Sequence, residues 1–262
     1  MSFLLENIPT VWLGIGLVLF AVTISLLGLA LVRRRVELSR LQANHDVAGF
    51  LIAIVGVIYA VLLGFVVVIV WEQFGTTENV VGNEATAVGN LYRDGVALGH
   101  QGEPLRAAVM RYADSVVNVE WVAMADHQRE GLRTDDALNG LWRAVRNLRV
   151  PNATAGAFIT NAVTDVSTVS EDRRTRIRDS ASEIPASLWA VLIAGGLISI
   201  AFTYFFAPTS FRAHALMVSA LATIISLSLF VILTLNLPFT GGVALKPEAM
   251  HAEIDEFSSY HF

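Results

Sequence analysis

The sequence contains no cysteine, which excludes disulfides, thiolate metal sites and cysteine nucleophiles. Charge is scarce as well. Asp, Glu, Lys and Arg make up 16% of the chain against 54% hydrophobic residues, and the charges avoid four long windows, unlike those of a soluble globule. There is no basic surplus either, and a net charge of −5 argues against a nucleic-acid partner. The histidines at 45, 100, 127, 214, 251 and 261 lack HExxH or comparable ligand spacing. No glycine-rich loop follows a strand, so no nucleotide site is read. No catalytic residue, metal or cofactor is therefore expected. The mixture His251, Glu253, Asp255, Glu256 and His261 reads as a solvated tail more readily than as metal ligands.

What is present is apolar length. Val11 to Val32 is bounded by Glu6 before it and by Arg33, Arg34 and Arg35 after it, flanks that are reversed from those of a secretory signal, so it reads as a retained span. Val47 to Trp71 is uncharged and, at about 1.5 Å per residue, long enough to cross a hydrocarbon core of about 30 Å. Two further spans are expected at Leu188 to Ala207 and Ala213 to Leu235. The arginines in the short loop after the first span place it in the cytoplasm by the positive-inside rule. Both termini and the insert 72–187 then lie outside, although Arg173, Arg174, Arg176 and Arg178 pull the other way.

The insert reads as helical. After the Gly99-His100-Gln101-Gly102 break, Pro104 suits a first turn, and Leu105, Ala108, Val109, Tyr112, Val116, Val119 and Ala123 follow at helical spacing. Thr134 or Asp135 can cap a helix with Leu138, Leu141, Val145 and Leu148 on its apolar face, ending before Pro151. A last helix from Ala155 to Ala181 carries Ile159, Val163, Val166 and Ile177 inward. The run Arg173 to Arg178, interleaved with Glu171, Asp172 and Asp179, reads as a solvated face. Asn152-Ala153-Thr154 matches a glycosylation sequon by pattern only.

No proline or turn cluster separates the second span from the residues after it, so one long helix is expected through Asn90. Gly49, Ala53, Gly56, Ala60 and Gly64 give it a small-residue face for close helix packing, against its own first or third span or against another copy. The extension turns Phe74, Val81, Ala85, Val88 and Tyr92 toward the other helices of the bundle. A separate stripe runs Ile58, Val61, Phe65, Val68, Glu72, Thr76, Asn79, Asn83, and on to Thr86 and Asn90. Copies of it around an axis would form a hydrated vestibule, a Glu72 ring and an apolar constriction gated by dewetting. The plainer reading is a solvated helix face. Hydroxyls at Ser219, Thr223, Ser226 and Thr234 read as bonding to the preceding turn rather than lining a pore.

A resemblance accompanies these patterns. Tyr59 and Phe65 before Trp71-Glu72, Glu84-Ala85 followed by Leu91-Tyr92-Arg93, Tyr112 ahead of Glu120-Trp121, Arg173 with Arg176, Pro185 with Trp189, and Pro238-Phe239-Thr240-Gly241 together resemble the bestrophin-like family of bacterial membrane proteins, in order and spacing from about residue 45 to 250. That resemblance implies the architecture of true bestrophins: pentameric anion channels with an axial pore, an apolar neck from the second membrane helix and a cytoplasmic helical domain.

The expectation is thus an all-α multi-pass membrane protein of the bacterial inner membrane, with four transmembrane helices. Residues 1–71 hold the first two spans, 72–187 a helical bundle whose first helix continues span two, 188–235 the last two spans, and 236–262 a C-terminal tail. Its partners are lipids, inorganic ions and further copies of itself, a pentamer by resemblance. The leading function is an ion channel, for cations by the Glu72 ring and for anions by family analogy. The alternative is a non-conducting membrane sensor or assembly scaffold.

Overall fold

The computed structural model describes residues 9–36, 45–125, 132–182, 184–206, 208 and 210–259. Among these, the chain is helical without strands: α1 (Thr10–Arg35), α2 (His45–Ala97), a 3₁₀ turn (Gly99–Gly102), α3 (Glu103–Ser115), a π-helical segment (Val116–Glu120), α4 (Trp121–Ala125), α5 (Leu132–Arg146), α6 (Ala153–Ser180), α7 (Ala186–Thr203), α8 (Phe211–Leu235) and α9 (Glu248–Phe257). Four helices, α1, α2, α7 and α8, are long and apolar enough to cross a membrane. The protein is a helical membrane protein.

The chain divides into two compact units, one from residues up to Glu72 with Glu183–Asn236, the other from Gln73–Ser182 with Leu237–Phe262. In the first unit, Leu29, Tyr59, Ile200, Val218, Ala222 and Ile225 form the buried core. Here α2 meets α7 through an aromatic side chain in a glycine notch. The Tyr59 hydroxyl donates to the Leu192 carbonyl at 3.0 Å, and a Cβ on Gly195 would lie 2.5 Å from the ring. The small residues on this contact belong to α7, while Gly56 and Gly64 of α2 face open space. Tyr204 donates to the Ser25 carbonyl at 2.9 Å. Arg33 Nη2 reaches the Pro208 carbonyl at 2.6 Å and His214 Nδ1 at 3.2 Å, and His214 Nε2 lies 2.8 Å from the Thr203 carbonyl. With one imidazole nitrogen on a carbonyl and the other on a guanidinium, the neutral tautomer protonated at Nε2 satisfies both. Ser226 and Thr234 donate to carbonyls of their own preceding turns.

The second unit is built on the extension of α2. Val81, Ala85, Val88 and Leu91 are buried there with Leu105, Val109, Tyr112, Val116, Leu141, Val145 and Val166. Residues 237–257 do not form a solvated tail. Phe239 packs edge-on against Trp121 at 5.6 Å, Phe257 stacks on Tyr92 at 4.1 Å, and Arg93 pairs with Glu253 and Glu256 at 3.1 and 2.9 Å. An acidic composition concealed the three apolar anchors Phe239, Met250 and Phe257.

The entry into α3 depends on a backbone crossing. Gly99 takes φ of +60°, the left-handed region open to glycine at little cost, and the chain then brings Gly102 against Gly95. A Cβ on Gly102 would overlap the Gly95 carbonyl oxygen and lie 2.7 Å from its carbon. Backbone cannot swing aside as a side chain would, so Gly102→Ala is expected to lower the stability of this unit by about 1–3 kcal/mol, read from the thermal midpoint of the purified protein. At the start of α6, Asn152 serves as N-cap, its side chain accepting from the Ala155 amide at 2.8 Å, which gives the sequon asparagine a structural role.

Candidate functional site

The residues singled out on α2 divide into three faces, separated by roughly 120° when each residue is turned by about 100°. The buried face is Tyr59, Val66 and Val70 in the first unit. The small-residue face leaves Ala53, Ala60 and Gly64 exposed and Gly49 and Gly56 partly so; Gly49 lies near Phe206, a Cβ there coming within 3.7 Å of its ring. The third face is exposed throughout. Ile58, Val61, Phe65 and Val68 are 64%, 53%, 66% and 52% accessible, and Glu72 at the end of this unit is exposed. In the second unit, Thr76, Asn79 and Asn83 are exposed too, as are Thr86 and Asn90.

A second group of residues is brought together by the fold and was not assigned to a site from spacing. Arg176 is fully buried. Its Nε donates to Glu84 Oε2 at 2.6 Å, and its Nη2 donates to Glu84 Oε1 at 3.0 Å and Glu120 Oε2 at 2.5 Å. The guanidinium lies 5.3 Å from the centroid of the Trp121 ring. Tyr112 donates to Glu84 Oε1 at 2.7 Å, and Arg173 donates to Glu120 Oε1 and Asp135 Oδ1. Two arginines and two glutamates thus balance within the core, every glutamate oxygen taking at least one donor.

The electrostatics follow from that balance. Burial alone would push the Arg176 guanidinium down, but Glu84 and then Glu120 outweigh it and hold it above its usual range. Arg173 is shifted upward in the same way, its burial outweighed chiefly by Glu120. Burial, reinforced by Glu84, holds the Tyr112 phenol well above its ordinary value, so it stays a donor. This closed set offers no free nucleophile or base. It locks together α2, α3, the π segment, α5 and α6.

The arginine run is therefore not a solvated face. Arg173 and Arg176 continue the buried stripe Ala162, Val166 and Val169 at alternating steps of four and three, whereas Val163, expected inward, is 45% exposed. Glu120 arrives through the π segment, which adds a residue to the turn and replaces Val119 and Ala123 with Glu120, Trp121 and Met124 on the inner face. Asp135 does not act as a cap; α5 begins at Leu132, and the Asp135 carboxylate binds Arg173 instead. The side chain of Thr134 lies outside the described residues. One signal was present in the sequence: charged residues of both signs falling in the register of apolar stripes.

These core partners, Glu84, Tyr112, Glu120, Trp121, Arg173 and Arg176, are the same residues whose order and spacing carry the family resemblance. The sequence profile of the bestrophin-like domain matches residues 19–250, nearly the whole chain. The chain belongs to the bestrophin-like family. No protein of curated function matches the sequence. The fold is shared with solved bacterial bestrophin homologues from Klebsiella pneumoniae. One, carrying a point substitution, superposes with a TM-score of 0.71 at 14% identity, over 92% of this chain and 97% of that one. A second gives 0.69 at 13% identity, over 93% and 99%. At such identity the likeness is one of fold, and both chains align over almost their full lengths. This bestrophin-like chain is accordingly an all-α protein with the bestrophin fold.

Proposed function

We propose that this bestrophin-like protein is the subunit of a homo-oligomeric ion channel whose axial pore is lined by α2. The observation that carries the reading is the third face of α2, from Ile58 through Phe65 and Glu72 to Asn83, which is exposed among the described residues. In a ring of copies, a helix needs one face toward its own bundle, one toward the axis and one toward a neighbour. The three faces of α2 supply these in order: Tyr59 and Val66, then the stripe, then Gly49 to Gly64, whose open space at Gly56 and Gly64 suits close approach of a second backbone.

In that arrangement Ile58, Val61, Phe65 and Val68 form an apolar constriction that conducts only when wetted. Glu72 forms a ring of carboxylates at its mouth. Thr76, Asn79 and Asn83 line a hydrated vestibule. The Glu72 ring favours cations, whereas likeness to bestrophins favours anions. The arginines closing α1 favour a cytoplasmic loop before α2, with residues 73–182 on the other side.

Purified protein imaged in lipid discs should form closed rings, and liposomes containing it should pass ions. A monomer, or a ring without flux, would leave the scaffold reading in its place. Reversal potentials under a salt gradient assign the ion. Glu72→Gln is expected to shift permeability toward anions by a few-fold, because a ring of charges at a narrow mouth sets the local ion concentration. An unchanged reversal potential would remove Glu72 from the conduction path. Single cysteines introduced into the cysteine-free chain test the orientation by labelling from either side.

A further inference from the structure

A groove of about 390 Å³ opens in the second unit between α2 and α6, lined by Asn90, Arg93 and Asp94 from one helix and by Asn161, Thr164 and Asp165 from the other. Asn90 and Asp94 stand one turn apart, as do Asn161, Thr164 and Asp165, so both helices direct oxygen-bearing side chains to the same space. Asp94 is only 8% exposed, and its Oδ2 is buried without a hydrogen bond from the protein. A carboxylate oxygen in that condition is costly, and native structures normally supply a donor or a cation.

We infer that this groove is a binding site for a hard divalent cation of the Mg²⁺ or Ca²⁺ class, held by the carboxylates of Asp94 and Asp165. The donors point to that class. All are oxygens, with neither imidazole nor thiolate among them, which suits Mg²⁺ and Ca²⁺ and disfavours the softer metals. Two carboxylates with an amide oxygen from Asn161 and a hydroxyl from Thr164 leave positions for water, the usual mode for Mg²⁺ and one that Ca²⁺ tolerates.

The electrostatics agree. Burial and then the neighbouring Asp165 push the Asp94 carboxyl up to about 6. Asp165 is raised too, by its burial, and the hydrogen bond from Asn90 only partly offsets this. Arg93 also lines the groove. Its guanidinium binds Glu253 and Glu256, and its Nη1 donates to Asn90 Oδ1 at 3.3 Å. With its oxygen held by Arg93, the Asn90 amide can donate to Asp165, so Asn90 acts as a positioning residue. Asn90 ends the polar row of α2, but the two aspartates lie outside the proposed pore-lining residues Ile58 to Asn83, so the site does not depend on the pore.

The test uses full-length protein in detergent, stripped with a chelator and titrated calorimetrically with MgCl₂ and, separately, with CaCl₂. Saturable uptake of one cation per chain and a raised melting temperature are expected. Asp94→Asn and Asp165→Asn should each weaken uptake at least tenfold, whereas Glu171→Gln, at an exposed acid elsewhere on α6, should leave it unchanged. Absence of saturable uptake by the wild-type protein at millimolar cation overturns the inference without recourse to any variant. So does uptake that survives both aspartate substitutions.

Discussion

Arg176→Met is expected to unfold the second unit more readily than any other single substitution in this protein. The side chain is fully buried and anchors Glu84 and Glu120 at once. Removing it leaves Glu84 in the core with the Tyr112 hydroxyl but without the guanidinium that faced it, while Glu120 keeps Arg173. Breaking a buried pair in this way costs about 3–5 kcal/mol, a large share of the roughly 5–15 kcal/mol that holds a domain. The melting temperature should fall by roughly 10 °C or more. The charge argument is separable from simple loss of packing. In Glu84→Gln combined with Arg176→Met, the amide oxygen can still accept from Tyr112, and Glu120 keeps Arg173, so the charges balance again. The double variant should recover much of the loss. A single variant melting within a degree or two of wild type would mean that the cluster does not lock the helices.

Phe65→Ala carries the largest expected functional effect, and it rests on the proposed pore. Phe65 is 66% exposed on the third face of α2 and is the bulkiest apolar side chain of the stripe. If copies face one another across an axis, truncating a ring of phenyl groups widens the constriction and eases its wetting. Ion flux into liposomes should then rise on the order of tenfold, equivalent to about 1.4 kcal/mol off the barrier. Stability should change little, because the side chain is largely exposed. Val66→Ala provides the contrast. One position along, Val66 is 4% exposed, and its truncation should cost stability before it alters conduction. A Phe65→Ala protein with wild-type flux and gating would remove the constriction from this face.

How much of this could be read from the chain differs between the two units for a physical reason. Four apolar spans are visible because backbone groups in lipid must be satisfied within a helix, which imposes length and apolarity on the sequence itself. The continuity of α2 from His45 to Ala97 was legible for an equally local reason, the absence of any breaker. The faces of the long helix were readable from its period. The polar row from Glu72 to Asn83 is exposed, and Val81, Ala85 and Val88 are buried.

The bundle interior was less legible. Arg173 and Arg176 have the composition of a surface and the positions of a core. Only the arrival of Glu84 and Glu120 from other helices makes their burial tolerable. Glu120 in turn depends on the π segment, a local change of period that an α-helical count cannot anticipate. The same holds for residues 237–257, where acidic side chains suggested solvent and Phe239, Met250 and Phe257 supply the packing.

By itself, then, the sequence determined the four apolar helices and the unbroken course of the second, since each follows from length, composition and period along one segment. The tertiary structure decided which charges are buried, that Tyr59 rather than the small-residue face joins α2 to α7, and that Asp94 and Asp165 share a groove. Those outcomes depend on pairs of residues far apart in the chain. Their energies exist only once the partners meet, so neither member carries the signal alone.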